Sequence, residues 1–168
     1  MLENLLAELQ EQIEVCGFEK DVEVLVQLDD HENTTGYKRN ILLKRAAGDY
    51  VCFFDDDDEP SQDYIKLIMD ALEDKPDVVG MRGLLYQDGA YQGVFEHSIQ
   101  HKGWSNGAGT FKRRPNHLNP VRRDLALKVG FPDVTFAEDQ DYSMRLLPLL
   151  NKEQMVVKPI YHYQARSK

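Results

Sequence analysis

Tyr50-Val51-Cys52-Phe53-Phe54 runs without a break into Asp55-Asp56-Asp57-Asp58-Glu59. The apolar part, bounded by Gly48-Asp49, has the length of a buried strand and is too short for a helix. The aspartates therefore fall at the carboxyl end of a strand, where ligands collect in open α/β sheets. Neighbouring carboxylates repel and raise one another's pKa, and a bound cation relieves that cost. Oxygen ligands alone select a hard ion, Mg²⁺ or Mn²⁺. A run of charge is usually just a solvated turn. Its position directly behind the apolar strand is what points to a ligand.

The flanking sequence sets this strand in an alternating pattern. Leu2, Leu5, Leu6, Leu9 and Ile13 recur at helical spacing, which predicts a helix over Met1–Val15 ended by Gly17. Val22–Leu28 is a short β-branched run read as a strand, followed by the polar turn Asp29-Asp30-His31-Glu32-Asn33. Gly36–Ala47 reads as a second helix stopped by Gly48. Beyond the aspartates, Pro60 or Ser61 opens a third helix with Tyr64, Leu67, Ile68, Ala71 and Leu72 on one face, and Asp77–Met81 is a third strand. Helix and strand in alternation imply a mostly parallel sheet covered by helices. The second half differs. Leu84–Tyr86 and Tyr91–Phe95 flank Asp88-Gly89, a hairpin signal. Gly103–Thr110 is a loop carrying the single tryptophan, Trp104. Val121–Val129 and Glu138–Leu150 read as helices and Met155–Tyr161 as the last strand. Neither a repeat nor a linker divides the chain, so residues 1–168 read as one domain.

Composition narrows the function. A net charge of −9 over 168 residues argues against a nucleic-acid binder, which would need a basic face. The hydrophobic fraction of 42% suffices for a core, and no apolar run approaches a membrane span. The N-terminus lacks the basic start of a signal peptide. Cys16 and Cys52 give no disulfide framework and suit a reducing cytoplasm. Cys52, inside an apolar run, reads as a buried thiol.

Other residues carry potential chemistry. In Gly36-Tyr37-Lys38-Arg39-Asn40, two cations meet the free N–H groups of a helix start, an arrangement that attracts anions. Ala137-Glu138-Asp139-Gln140-Asp141 opens another helix, where acids are favoured by the dipole and where one carboxylate can also serve as a general base. His162 follows the last predicted strand. His97 and His101 have i, i+4 spacing but no Cys or acidic partner nearby to make a zinc site.

These pieces, in this order, resemble family 2 glycosyltransferases of the GT-A fold, a Rossmann-like nucleotide-diphospho-sugar transferase architecture. The resemblance runs from about Val22 to Tyr163. It rests on Gly36–Leu43, Ala47–Asp58, His117–Arg123, Val129–Pro132, Glu138–Leu146 and Tyr161-His162-Tyr163. It implies that Asp55-x-Asp57, with Asp56 between, is a DxD motif binding Mn²⁺ or Mg²⁺ and the ribose-diphosphate of the donor, with Asp57 a direct metal ligand. It further implies that His162 completes the metal site and that Asp29 or Asp30 reads the nucleobase. Lys38 and Arg39 would contact the donor, and Asp139 would be the catalytic base. The implied activity is metal-dependent, inverting transfer from a nucleotide sugar, a UDP-sugar in the first instance, to a glycan, lipid-linked or protein acceptor. Trp104 would stack on a sugar or serve as a lid, or else plug the core.

The sequence departs from the family at its start. No apolar strand precedes the first helix, so the fold would lack its usual first strand and leave a sheet edge open, which invites a homo-oligomer. The alternative is a non-catalytic or fragmentary GT-A remnant that binds a nucleotide sugar or a partner. Two other classes fit less well. A phosphatase would place its Asp pair after the first strand, and an EF-hand needs alternating ligands with a mid-loop glycine.

Overall fold

Helix α1 (Leu2–Cys16) buries Leu5, Leu9 and Ile13 along one stripe, and Gly17 ends it at φ 75°. The computed structural model describes residues 2–30, 32–107 and 109–167. Met1, His31, Ala108 and Lys168 lie outside the described residues; they fall in the predicted first helix, polar turn, Gly-rich loop and chain end. Helix α2 (Thr35–Arg45) is capped by Thr34, whose hydroxyl accepts from the Tyr37 amide at 3.1 Å. Strands β1 (Tyr50–Val51) and β2 (Glu59–Pro60) bracket the acidic run. Helix α3 (Tyr64–Leu72) leads into a long hairpin of β3 (Val78–Gln87) and β4 (Ala90–His97). Its two-residue turn, Asp88-Gly89, has both φ angles positive, as that link requires. Strands β5 (Ser105–Gly107), β6 (Thr110–Arg113) and β7 (Val121–Arg122) follow. Helices α4 (Arg123–Val129) and α5 (Glu138–Leu146) precede the last strand, β8 (Glu153–Ala165).

The strands form one mixed sheet, with the path β1-β7-β3-β4-β6-β5 and β8 alongside β3 and β2. Alternation along β3 sends neighbours to opposite faces. Val79 and Met81 pack with Ile13, Ile68 and Tyr161 under α1 and α3. Val78 packs with Leu43, Leu125, Phe131, Tyr142 and Leu146 under α2, α4 and α5. Gln12 clamps α1 to α3: its amide nitrogen donates to the Ser61 carbonyl and its oxygen accepts from the Ile65 amide. Gly36 lets α2 touch the 132–134 segment, because a Cβ there would stand 1.8 Å from the Pro132 carbonyl oxygen.

Several sequence expectations are corrected. The sheet is mixed rather than mostly parallel: among the described residues only β3–β8 and β4–β6 pair in parallel. Val22–Leu28, expected as a strand, joins no ladder among the described residues, while β1 pairs antiparallel with β7. Cys52 is exposed as a residue, but its thiol turns inward as expected: Sγ lies 3.7 Å from the hydroxyl of buried Tyr64, and burial raises its pKa. Pro60 pairs with Tyr161 in β2 instead of opening α3. The helix expected over 138–150 stops at Leu146 and passes into a 3-10 turn at Leu147–Leu149, where Pro148 removes an amide donor. His162 lies within β8, not beyond it, and Trp104 is 63% exposed, which removes the core-plug reading. Among the described residues no helix is long and apolar enough to cross a membrane.

Candidate functional site

The acidic run separates two cavities. The larger, about 660 Å³, is lined by Asp56, Asp57, Asp58, Glu8 and Asp88 together with Arg166. The other, about 490 Å³, brings Asp55 and Asp139 to one space, along with His97, His117, Trp104 and Arg113. Of these two cavities, the second is the one that the predicted base, Asp139, lines.

Arg39 joins its two acidic walls. It projects from α2 into the interior, 8% exposed. Its Nη1 donates to Glu138 Oε1 at 2.6 Å and its Nη2 to Asp55 Oδ1 at 3.0 Å. The guanidinium also lies 5.9 Å from the Phe53 ring centroid and 5.7 Å from that of Phe131. His117 Nε2 takes the second oxygen of Asp55, at 3.2 Å. Burial opposes ionisation of Asp55, but His117 and then Arg39 outweigh it and hold the carboxyl well below the usual carboxylate range. Arg39 is thus a brace between the DxD-like run and the start of α5, a role that only the tertiary fold reveals.

The start of α5 is set by its backbone. Ala137 adopts a left-handed φ of 62°, uncommon for a residue with a Cβ. That turn directs Glu138 inward to Arg39 and places Asp139 on the cavity. Asn40 fixes the approach: its amide nitrogen donates to the Phe131 carbonyl at 2.8 Å and its oxygen accepts from the Phe131 amide at 2.9 Å. Of the carboxylates lining this cavity, Asp55 and Glu138 are held by cations. Asp139 has no ion pair or hydrogen bond among the described residues.

The remaining predicted residues divide. Lys38 Nζ and Asp29 Oδ1 form an ion pair at 3.2 Å, so the predicted base-reading acid and donor-binding lysine meet. Asp30, Asp56 and Asp57 are exposed. Asp58 is buried, accepting from the Tyr161 hydroxyl at 2.6 Å and the Gln164 amide at 2.7 Å; burial pushes its pKa up to about 6. His162 stands opposite Glu59 in the β2–β8 ladder, its ring 6.2 Å from that of Tyr86. Among the described residues no three His, Cys, Asp or Glu side chains stand together as a metal-binding group, so Asp55, Asp57 and His162 do not converge on one point. His101, expected like His97 to lack an acidic partner, has one: Glu96 stands 2.8 Å from its Nε2.

Sequence reasoning missed the polar support beneath the cavity. Asn119 Oδ1 accepts from the Asn116 amide, and its amide nitrogen donates to the Val79 carbonyl. The 3.0 Å contact from His97 Nδ1 to that same oxygen must therefore be donated by the ring. Burial pushes the His97 imidazole down to about 4. With an ordinary value of 6.5 in the unfolded chain, stability from this group is complete above pH 6.5 and lost as pH falls toward 4. The full difference is about 3 kcal/mol. Asp58, raised, acts in the opposite sense over the same window, so the wild type is expected to lose little stability between pH 7 and 4.5. His97→Gln should gain about 2–3 kcal/mol relative to wild type on that acidification. Chemical unfolding at the two pH values measures it, and an unchanged difference would show that His97 does not titrate this way.

The Glycosyl transferase family 2 model matches residues 2–136. No curated protein sequence matches the chain. Among solved structures, S. aureus TarS 1–349 superposes with a TM-score of 0.63 at 21% identity, covering 92% of this chain and 48% of that one. TarS 1–349 in complex with UDP-GlcNAc gives 0.62 at 19% identity, covering 95% and 47%, and in complex with UDP 0.61 at 19%, covering 93% and 48%. The chain thus spans about half the length of these structures, and at such identity the likeness is one of fold.

Proposed function

This chain belongs to glycosyl transferase family 2, and on that premise we propose that it moves a sugar from a nucleotide-diphosphate donor to an acceptor hydroxyl. The observation that carries the reading is the cavity in which Asp139 alone of three carboxylates is not held by a cation, facing an acidic run across the Arg39 brace. A hydroxyl is a poor nucleophile until its proton is taken, and Asp139 would take it. One base and no second carboxylate nucleophile suits direct displacement with inversion. That TarS was solved with UDP and UDP-GlcNAc supports a UDP-sugar as donor. Lys38 and Asp29 would then meet the nucleotide, with Asp30 beside them.

The exposed carboxylates of Asp56 and Asp57 fit a hard cation, which commonly takes one or two carboxylates and fills its shell with phosphate oxygens and water. Asp57, with Asp55, would hold Mg²⁺ or Mn²⁺, which when bound neutralises charge gathering on the diphosphate leaving group. Asp57→Ala is expected to lower UDP release from UDP-GlcNAc with Mn²⁺ by at least about 100-fold. A rate within twofold of wild type would remove Asp57 from this role.

The open edge of β1 supports self-association. Light scattering after size exclusion should give a mass above the 19.4 kDa of one chain, rising with concentration. A constant one-chain mass would contradict it.

A further inference from the structure

We infer that His117 is a positioning residue that aims the Asp55 carboxylate at the nucleotide-diphosphate donor; this rests on the transferase reading above. His117 has a single polar contact. Its side chain is 8% exposed, and its Nε2 lies 3.2 Å from Asp55 Oδ2. At neutral pH a carboxylate only accepts, so the ring nitrogen is the donor. The other nitrogen, Nδ1, is buried and has no hydrogen-bond partner among the described residues. A buried polar atom without a partner weakens a fold, and an apolar ring at the same place would carry no such cost. Packing therefore does not account for an imidazole at this position, whereas its bond to Asp55 does.

The backbone around His117 ties the imidazole to both sides of the cavity. Residues 116–119 close a turn on themselves. The Asn119 amide donates to the Asn116 carbonyl at 3.2 Å, and the Leu118 amide donates to Asn116 Oδ1 at 3.1 Å. The turn is pinned at three points. Asn119 Nδ2 donates to the Val79 carbonyl of β3 at 2.8 Å. The His117 carbonyl accepts at 2.8 Å from the amide of Phe53, shortly before Asp55. The Pro115 carbonyl accepts at 2.8 Å from Ser143 Oγ, one helical turn beyond Asp139 on α5. His117 thus holds a fixed place relative to the backbone of Asp55 and to the predicted base. Asp55 needs such a hold, because it lies beyond the end of β1, where no ladder pair fixes it. Donors from two directions take its oxygens, Arg39 Nη2 on Oδ1 and His117 Nε2 on Oδ2. Arg39 gives Asp55 only one of its terminal nitrogens, the other going to Glu138, and a single bond leaves a carboxylate free to turn. The second donor fixes its plane. Each oxygen keeps a further lone pair, and the Asp55 side chain is 34% exposed on the cavity, so the held carboxylate presents those lone pairs there. In this role His117 acts through Asp55.

Two variants separate positioning from packing. His117→Phe keeps a planar ring and removes both nitrogens, while His117→Gln keeps a side-chain donor. UDP is titrated calorimetrically into each with Mn²⁺ present. His117→Phe is expected to bind UDP about tenfold more weakly, the scale of one hydrogen bond to a charged group. His117→Gln should recover affinity to within about threefold of wild type. The KM for UDP-GlcNAc in UDP release should rise with the same pattern while kcat stays within about threefold, since what is lost is donor binding. Urea unfolding of His117→Phe should give a midpoint at or above that of wild type, because the unpartnered nitrogen is gone. In a double-mutant cycle, His117→Phe should weaken UDP binding no further once Asp55→Asn is present. UDP affinity within about twofold of wild type in His117→Phe overturns the inference. So do additive losses in the cycle, a failure of His117→Gln to recover affinity, or a fall in the urea midpoint of His117→Phe that parallels the loss of binding. Wild-type protein that binds no UDP with Mn²⁺ overturns the transferase reading and this inference with it, whereas UDP binding indifferent to His117 overturns this inference by itself.

Discussion

Replacing Arg39 with alanine is expected to cost about 3–5 kcal/mol of folding stability, the range for stranding charges whose buried partner has been removed. Glu138, with its side chain 8% exposed, and one oxygen of Asp55 would lose their cation, and Phe53 and Phe131 would lose the group they enclose. His117 still holds the other oxygen of Asp55, so the larger part of the penalty falls on Glu138. Arg39→Lys keeps the charge but not the fork that spans both carboxylates, and should fall between wild type and Arg39→Ala. Urea unfolding at pH 7 measures the series. A loss below about 1 kcal/mol for Arg39→Ala would mean that the pair is solvated like a surface bridge and does not brace the site.

Asp139→Asn should lower kcat by about 10²–10⁴-fold, the usual contribution of a positioned general base. The amide preserves shape and exposure at the start of α5, so UDP affinity should stay within twofold of wild type. Stability should also hold, since Asp139 has no partner to lose among the described residues. Its neighbour makes the contrast: Glu138→Gln should lower stability by weakening the Arg39 bond. Near-normal turnover by Asp139→Asn would remove this residue as the base.

The local periodicities were enough to place α1, α2, α3, the β3–β4 hairpin and the acidic run. Each is set by neighbours within a few positions: the leucine spacing of α1, the Thr34 cap, the Asp88-Gly89 turn. What the local pattern could not give is partnership. Val22–Leu28 has a strand's composition, but a strand exists only where another pairs with it, and none does among the described residues. The site shows the same division. Asp139 stands at the helix start that the sequence predicted, whereas β1 ends at Val51, so Asp55 lies in the turn beyond it and not at the strand's end as expected. The His117–Asp55 and Arg39–Glu138 contacts join residues 62 and 99 positions apart, and no sequence window spans them. Trp104 was legible as a loop residue, while its stacking with Arg113 depends on β5 pairing with β6, which sets Ser105 opposite Lys112.

Calorimetric titration of UDP into the purified protein, with and without Mn²⁺, tests the donor site most directly. Saturable binding that requires Mn²⁺ and is lost in Asp57→Ala is the predicted result. A folded protein that binds UDP under neither condition would contradict it, and would favour a glycosyltransferase fold that has kept its architecture without its donor chemistry.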